Sequence, residues 1–152
     1  MTDDDLYNNI VQSVVKLCRD FTSEHAPQAG YIDFDAHAQV KEWPEDDTLI
    51  GPAGVGMAHE ANNTIEVVFS VGVTTKNDEN LFRLRGLMSK LYGRLKPESK
   101  VVIYDHATAM PTTWMVTATP VAITPVSKAE MRSVQFIEVR ALIDPGATSS
   151  LR

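Results

Sequence analysis

Asp33, Asp35 and His37 occupy alternate positions of one short segment, Asp33-x-Asp35-x-His37. Alternate residues of an extended strand share a face, so this spacing would gather two carboxylates and an imidazole on one side. Such a set suits a divalent cation. Glu60 or Glu66 would have to supply a third carboxylate from elsewhere in the chain. The competing reading is an exposed polar strand face with Ile32 and Phe34 turned inward, and it is the one expected here: no metal site is assigned.

Gly51-x-x-Gly54-x-Gly56 has the glycine content of a phosphate loop. A Walker loop follows its last glycine with Lys-Ser/Thr, to reach the phosphates and hold magnesium; here Met57-Ala58 follows. A dinucleotide loop needs a strand before it and a helix opening directly after, and the flanking sequence offers neither. His25, His59 and His106 form no His-x-x-x-His or His-Glu-x-x-His pair, and there is no Gly-x-Ser-x-Gly elbow. Cys18 is the only cysteine, which excludes an intrachain disulfide and a cysteine-based zinc site. Its place beside an apolar helical stripe predicts a buried, inert thiol. No catalytic residue and no cofactor is expected.

The elements that would position these residues follow from periodicity. Leu6, Ile10, Val14, Leu17 and Phe21 recur at steps of four and three, which predicts a helix over residues 3–24. Its acidic start suits the helix dipole, and Pro27 and Gly30 end it. Residues 31–43 alternate loosely and predict one or two short strands. Pro44, the run Glu45-Asp46-Asp47 and the glycine segment predict a long loop over residues 44–63. Ile65, Val67, Phe69, Val71 and Val73 alternate as a strand over residues 64–74. A second helix is expected from about Asp78 to Lys96, with Leu81, Leu84, Met88, Leu91 and Leu95 as its apolar stripe and Pro97 as its stop. Further strands are expected at residues 100–104, 112–123 (bent by Pro120) and 134–143. Residues 147–152 read as a loose tail. The order predicts one α+β domain over residues 1–146: a largely antiparallel sheet with two amphipathic helices packed against it and one long loop insertion.

The 152 residues suffice for one domain, and 43% hydrophobic against 22% charged residues gives it a core. No apolar run approaches the ~18 residues of a membrane span, and Met-Thr-Asp-Asp-Asp is the opposite of a basic signal-peptide start. The net charge of −6 is unevenly placed. Residues 1–75 carry three basic against thirteen acidic side chains, residues 76–152 eleven against seven, so the halves are −10 and +4. An acidic chain is poorly suited to sequence-independent nucleic-acid binding, which depends on phosphate neutralisation. The split suits an acidic surface of one copy meeting a basic surface of the next, and equally two patches that both face water.

On the second helix Gly86, Ser89 and Gly93 fall on one narrow stripe, and Arg83, Lys90 and Arg94 fall opposite the leucines. Each interior glycine costs roughly 1 kcal/mol relative to alanine. Close approach of another backbone across the stripe would offset that cost, with the chain's own backbone the first expectation and a neighbouring subunit the second. These six residues are the candidate oligomer interface.

An amphipathic first helix, a strand with a polar turn (Thr64–Asn77), a second amphipathic helix (Asp78–Leu95) and a closing strand through Gln135-Phe136-Ile137-Glu138-Val139-Arg140 resemble the tail-terminator proteins of long-tailed bacteriophages. The neck, or head-to-tail completion, proteins beside them in the virion are similar in size and order. The resemblance covers residues 3–144 and rests on the order and length of elements. It implies a structural virion protein, not an enzyme, that forms a ring, expected to be a hexamer. Such a ring caps the tail tube, ends its polymerisation and contacts the tube or sheath protein on one side and the neck or connector on the other. DNA would pass through the lumen without specific binding, and the protein would reside in the virion after assembly in the host cytoplasm. Two alternatives remain open at this point: a small metal-dependent enzyme using Asp33, Asp35 and His37, and a non-catalytic α+β protein-binding module.

Overall fold

A computed structural model describes residues 3–37, 42–59 and 64–143. Residues 60–63, the end of the expected loop, and 144–152, with the expected tail, lie outside the described residues.

The first helix, α1, runs Asp3–His25. Leu6, Ile10, Val14, Cys18 and Phe21 form its buried stripe, at the spacing that puts side chains on one face. Each of the larger ones contributes about 2 kcal/mol by leaving water. The chain then makes a two-residue strand, β1 (Gly30–Tyr31), and one helical turn, α2 (Phe34–His37). Strand β2 (Thr48–His59) pairs antiparallel with β3 (Ile65–Thr75) along its whole length. The second long helix, α3, spans Phe82–Leu95 and is followed by β4 (Lys100–Tyr104), β5 (Pro111–Ile123), β6 (Ser127–Ala129) and β7 (Arg132–Ile143).

The sheet runs β1-β2-β3-β7-β5-β4, with β6 added to one end of β7. Only the β1–β2 pair is parallel. Helix α1 packs on β2 and β4, and α3 packs on β3, β5 and β7. The residues that both helices bury belong to one core cluster with Ile65, Val67, Phe69, Val71 and Val73 of β3 and Ile137, Val139 and Ala141 of β7. The fold is therefore α+β, as the periodicity predicts.

The opposite face of the sheet is covered at one end by α2. A Cβ on Gly72 would lie 2.5 Å from Phe34 and 2.7 Å from Phe136, so only glycine lets those rings meet the sheet. The rings pack edge to face at 5.0 Å. Farther along that face Leu142 is 49% exposed and the Arg140 side chain, 3.7 Å from Glu66, is 67% exposed.

Several expectations are corrected. Among the described residues of 31–43 only Tyr31 is strand: α2 occupies 34–37, and 38–41 lie outside the described residues. The long loop expected over 44–63 contains a twelve-residue strand. Its glycines and Pro52 suit a strand near an edge. Ile50 turns its carbonyl outward to accept from the Ile32 N–H at 3.2 Å. Pro52, two residues on, therefore also turns its nitrogen away from β3, where no donor is required. Gly51 leaves room for the Ile32 carbonyl, which a Cβ would overlap at 1.4 Å. The register shifts between Ala53 and Gly56, and Gly54 at φ +59° forms the bulge.

The second helix starts later than expected. Glu79–Leu81 is a 3-10 turn, and Asn80 and Leu81 have φ near +57° and +58°. Asp78 anchors this entry: Oδ1 accepts from the Arg83 N–H and Oδ2 from the Leu84 N–H, both at 2.9 Å. Thr75 adds a hydroxyl at 2.9 Å to Oδ2. The short strand β6 has no counterpart among the expected elements. The bend at Pro120 is present as a register shift between Thr119 and Val121.

Candidate functional site

The carboxylates of Asp33 and Asp35 are used by backbone donors. Asp33 Oδ1 accepts from the N–H groups of Asp35 and Ala36 at 3.0 and 3.2 Å, capping α2. Asp35 Oδ2 accepts from the Gly54 N–H at 2.8 Å. His37 packs against Trp43 with the rings tilted 40° and their centroids 3.9 Å apart. A helical turn, not a strand, carries the three residues, so the shared strand face that suggested a cation site does not exist. Among the described residues no three His, Cys, Asp or Glu side chains come together as ligands. Glu60 lies outside the described residues, and Glu66 faces Arg140 instead. The glycine segment is likewise spent on the bulge of β2 and forms no loop leading into a helix.

Cys18 is fully buried, and burial pushes its thiol up to about 12. This matches an inert core thiol. Asn9 and Ser13 are also buried, on α1, and bind the β4–β5 connection. The Ser13 hydroxyl accepts from the Tyr104 N–H at 2.7 Å, and Asn9 Oδ1 accepts from the His106 N–H at 2.8 Å.

The six candidate interface residues on α3 divide into two groups. Arg83 works inside the chain, donating to Thr48 Oγ1 at 2.9 Å, to the Lys76 carbonyl at 2.5 Å and to the Asn77 carbonyl at 3.0 Å. Arg94 joins α3 to α1 through Glu24 at 3.1 Å. Gly86, Ser89, Lys90 and Gly93 are exposed. Apart from the adjoining residues and the helix's own backbone, no described atom lies within 4 Å of where a Cβ on Gly86 or Gly93 would stand. Among the described residues the chain's own backbone therefore does not cover this stripe, contrary to the first expectation. Residues 82–95 contain four basic side chains and no acidic one.

Two surface features went unnoticed in the sequence. A groove of about 650 Å³ lies between the end of α1 and the start of α3. Its walls include His25, Pro27, Phe82, Gly86, Leu87 and Lys90, and Phe82 is 80% exposed. The second feature is the β6–β7 turn. Ala129 pairs with Arg132, leaving Glu130 and Met131 as a two-residue tip on which Met131 is 87% exposed. Below the tip Arg132 is buried. Its Nη2 donates to the carbonyls of Pro44 (2.8 Å) and Asp46, and its guanidinium lies 5.6 Å from the Trp43 ring. Only an exposed apolar residue between charged neighbours hints at Met131 in the sequence.

Among solved structures, one that is similar to this chain has a TM-score of 0.52 at 14% identity and covers 95% of this chain and 96% of its own. It bears a sequence identifier in place of a descriptive name, so the likeness speaks to the fold alone. No protein-family model matches the chain, and no curated protein matches it. Among the described residues no helix is long and apolar enough to cross a membrane.

Proposed function

We propose that this protein is a ring-forming structural component of a phage tail. It would act as a tail terminator or adjacent neck protein that ends tube polymerisation and joins the tail to the connector, without catalysis. The observation that carries the reading is the outer face of α3: basic and polar, opened by Gly86 and Gly93, and covered by no other element among the described residues. Interior glycines on a helix lower its stability. A neighbouring subunit's backbone packed against them offsets that cost. The element order supports the same reading, since two amphipathic helices packed on an antiparallel sheet are what the resemblance to tail terminators implies.

Native mass spectrometry over a concentration series tests this, with electron microscopy of tail tubes grown in the protein's presence. A closed ring, expected as a hexamer, and tubes that stop growing once capped are the expected results. A chain that stays monomeric at every concentration and leaves tube length unchanged overturns the proposal and favours a monomeric protein-binding module.

A further inference from the structure

The two most exposed large hydrophobic residues among those described are Met131 and Phe82, at 87% and 80%. They differ in shape and in charge. Met131 stands at a hairpin tip beside Glu130, with Glu42 and Glu45 around the surface at its foot. Phe82 borders a concave groove whose wall is opened by Gly86 and whose cations include Lys90. The residues lining the two places do not overlap. Around the protruding knob Glu42, Glu45 and Glu130 outnumber Lys76 and the buried Arg132, and in the recess Arg83 and Lys90 outnumber Asp47, so the two places carry opposite net charge on one chain.

We infer that the Glu130-Met131 hairpin tip of one copy docks in the groove between α1 and α3 of a second copy, as the repeating joint of a head-to-tail assembly. The inference rests on the ring reading and names the surfaces that make the ring. Two different complementary patches on one subunit are what a heterologous interface requires, and such joints close into a ring when the rotation permits. Methionine is unbranched and adapts to an irregular recess. The absent Cβ of Gly86 leaves it room, and Phe82 provides an aromatic wall for sulfur contact. The Glu130 carboxylate then faces Lys90, which fixes orientation and speeds encounter. The occupant is a second copy because the groove's net positive charge is complemented by the net negative knob of the same chain, which stands exposed among the described residues.

The test uses two single variants of the full chain, Met131→Asp (knob lost) and Gly86→Trp (groove filled), followed by sedimentation velocity. Both positions are exposed, and circular dichroism checks that each variant folds. Each variant alone is expected to self-associate on the order of ten-fold or more weakly than the parent. Mixed together, they are expected to form a one-to-one dimer and nothing larger, because exactly one intact knob and one intact groove remain to pair. The exchange pair Glu130→Lys and Lys90→Glu gives a second readout: each weakens assembly, and the two combined in one chain restore it. Variants that fold and form parental rings overturn the joint while leaving the ring reading standing. Loss of rings without a mixed dimer and without rescue by the exchange pair also overturns the joint. A parent chain that stays monomeric at every concentration overturns both.

Discussion

Oδ2 of Asp35 accepts a 2.8 Å hydrogen bond from the backbone N–H of Gly54, nineteen residues later in the chain. The bond ties α2 to the bulge of β2, where Gly54 has φ +59°. Asp35→Ala is expected to cost about 1 kcal/mol, the net worth of one hydrogen bond. Gly54→Ala is expected to cost about 1–2 kcal/mol from the left-handed backbone. Because both act on the same bulge, the double variant should lose less than the sum. Urea unfolding measures all three. Millimolar Mn²⁺ should leave the gap in melting temperature between the parent and Asp35→Ala unchanged, since the carboxylate serves a backbone donor.

Asp78 gives the fold a pH dependence. Burial by itself would raise its carboxyl; the Arg83 and Leu84 N–H groups, the Thr75 hydroxyl and the Arg83 charge together outweigh this and hold it below the usual range. A group whose folded value is depressed stabilises fully above its unfolded value, about pH 4, and that contribution is lost as pH falls through the folded value. Asp78→Ala should therefore cost about 1–2 kcal/mol at pH 7. The gap to the parent should narrow steadily below about pH 4, read by thermal unfolding at stepped pH.

Gly86→Ala and Gly93→Ala should each raise monomer stability by roughly 0.5–1 kcal/mol, because a Cβ there meets nothing and alanine favours the helix. Gly86→Ala should at the same time weaken self-association. Opposite signs in the melting temperature and in sedimentation would separate an assembly surface from an idle one.

Arg132 holds segment 43–47 against the sheet. Burial lowers its guanidinium, partly offset by the Asp47 and Asp46 carboxylates. Nη1 is buried with no partner among the described residues. Arg132→Met removes both carbonyl contacts and the cation beside Trp43, and should cost about 1–3 kcal/mol, the worth of hydrogen bonds from a charged donor. In a Trp114→Phe background, leaving Trp43 as the sole reporter, the emission should shift to the red as the ring loses its cover.

Cys18 should be silent to thiol reagents in the folded chain. With burial pushing the thiol to about 12, labelling at pH 8 should run more than about a hundred-fold slower than in urea. Rapid native labelling would mean that α1 opens locally.

The elements with strong periodicity were legible in the sequence. Leu6 through Phe21 fixes α1, and the alternation of Ile65 through Val73 marks β3, because one buried face dictates each pattern. Strand β2 was hidden because its neighbours relieve its usual requirements: it has a partner on only a short part of its outer side, so Pro52 is tolerated, and Ile32 occupies the space above Gly51. The late start of α3 was hidden because Asp78 anchors N–H groups five and six residues on, beyond a local capping pattern. The Asp33-x-Asp35-x-His37 spacing misled because Asp33 caps a helical turn, and a strand's alternation means nothing on a turn. The α3 stripe was legible, but its openness depends on which elements come near it, and that is a tertiary fact.

β7 lies between β3 and β5 and bonds to both, and it comes after every other described strand. The β1-β2-β3 portion and the β4-β5 hairpin are joined in the sheet only through it. While residues 132–143 are still inside the ribosome, the earlier strands have no centre to pair with, and the core of the sheet is unfinished. The contacts that close it join Ile65 to Ile143, a long separation that slows folding. The Glu130-Met131 tip forms only when β7 zips against β6. A docking knob built at the β6–β7 turn would therefore be presented only once the centre of the sheet has closed.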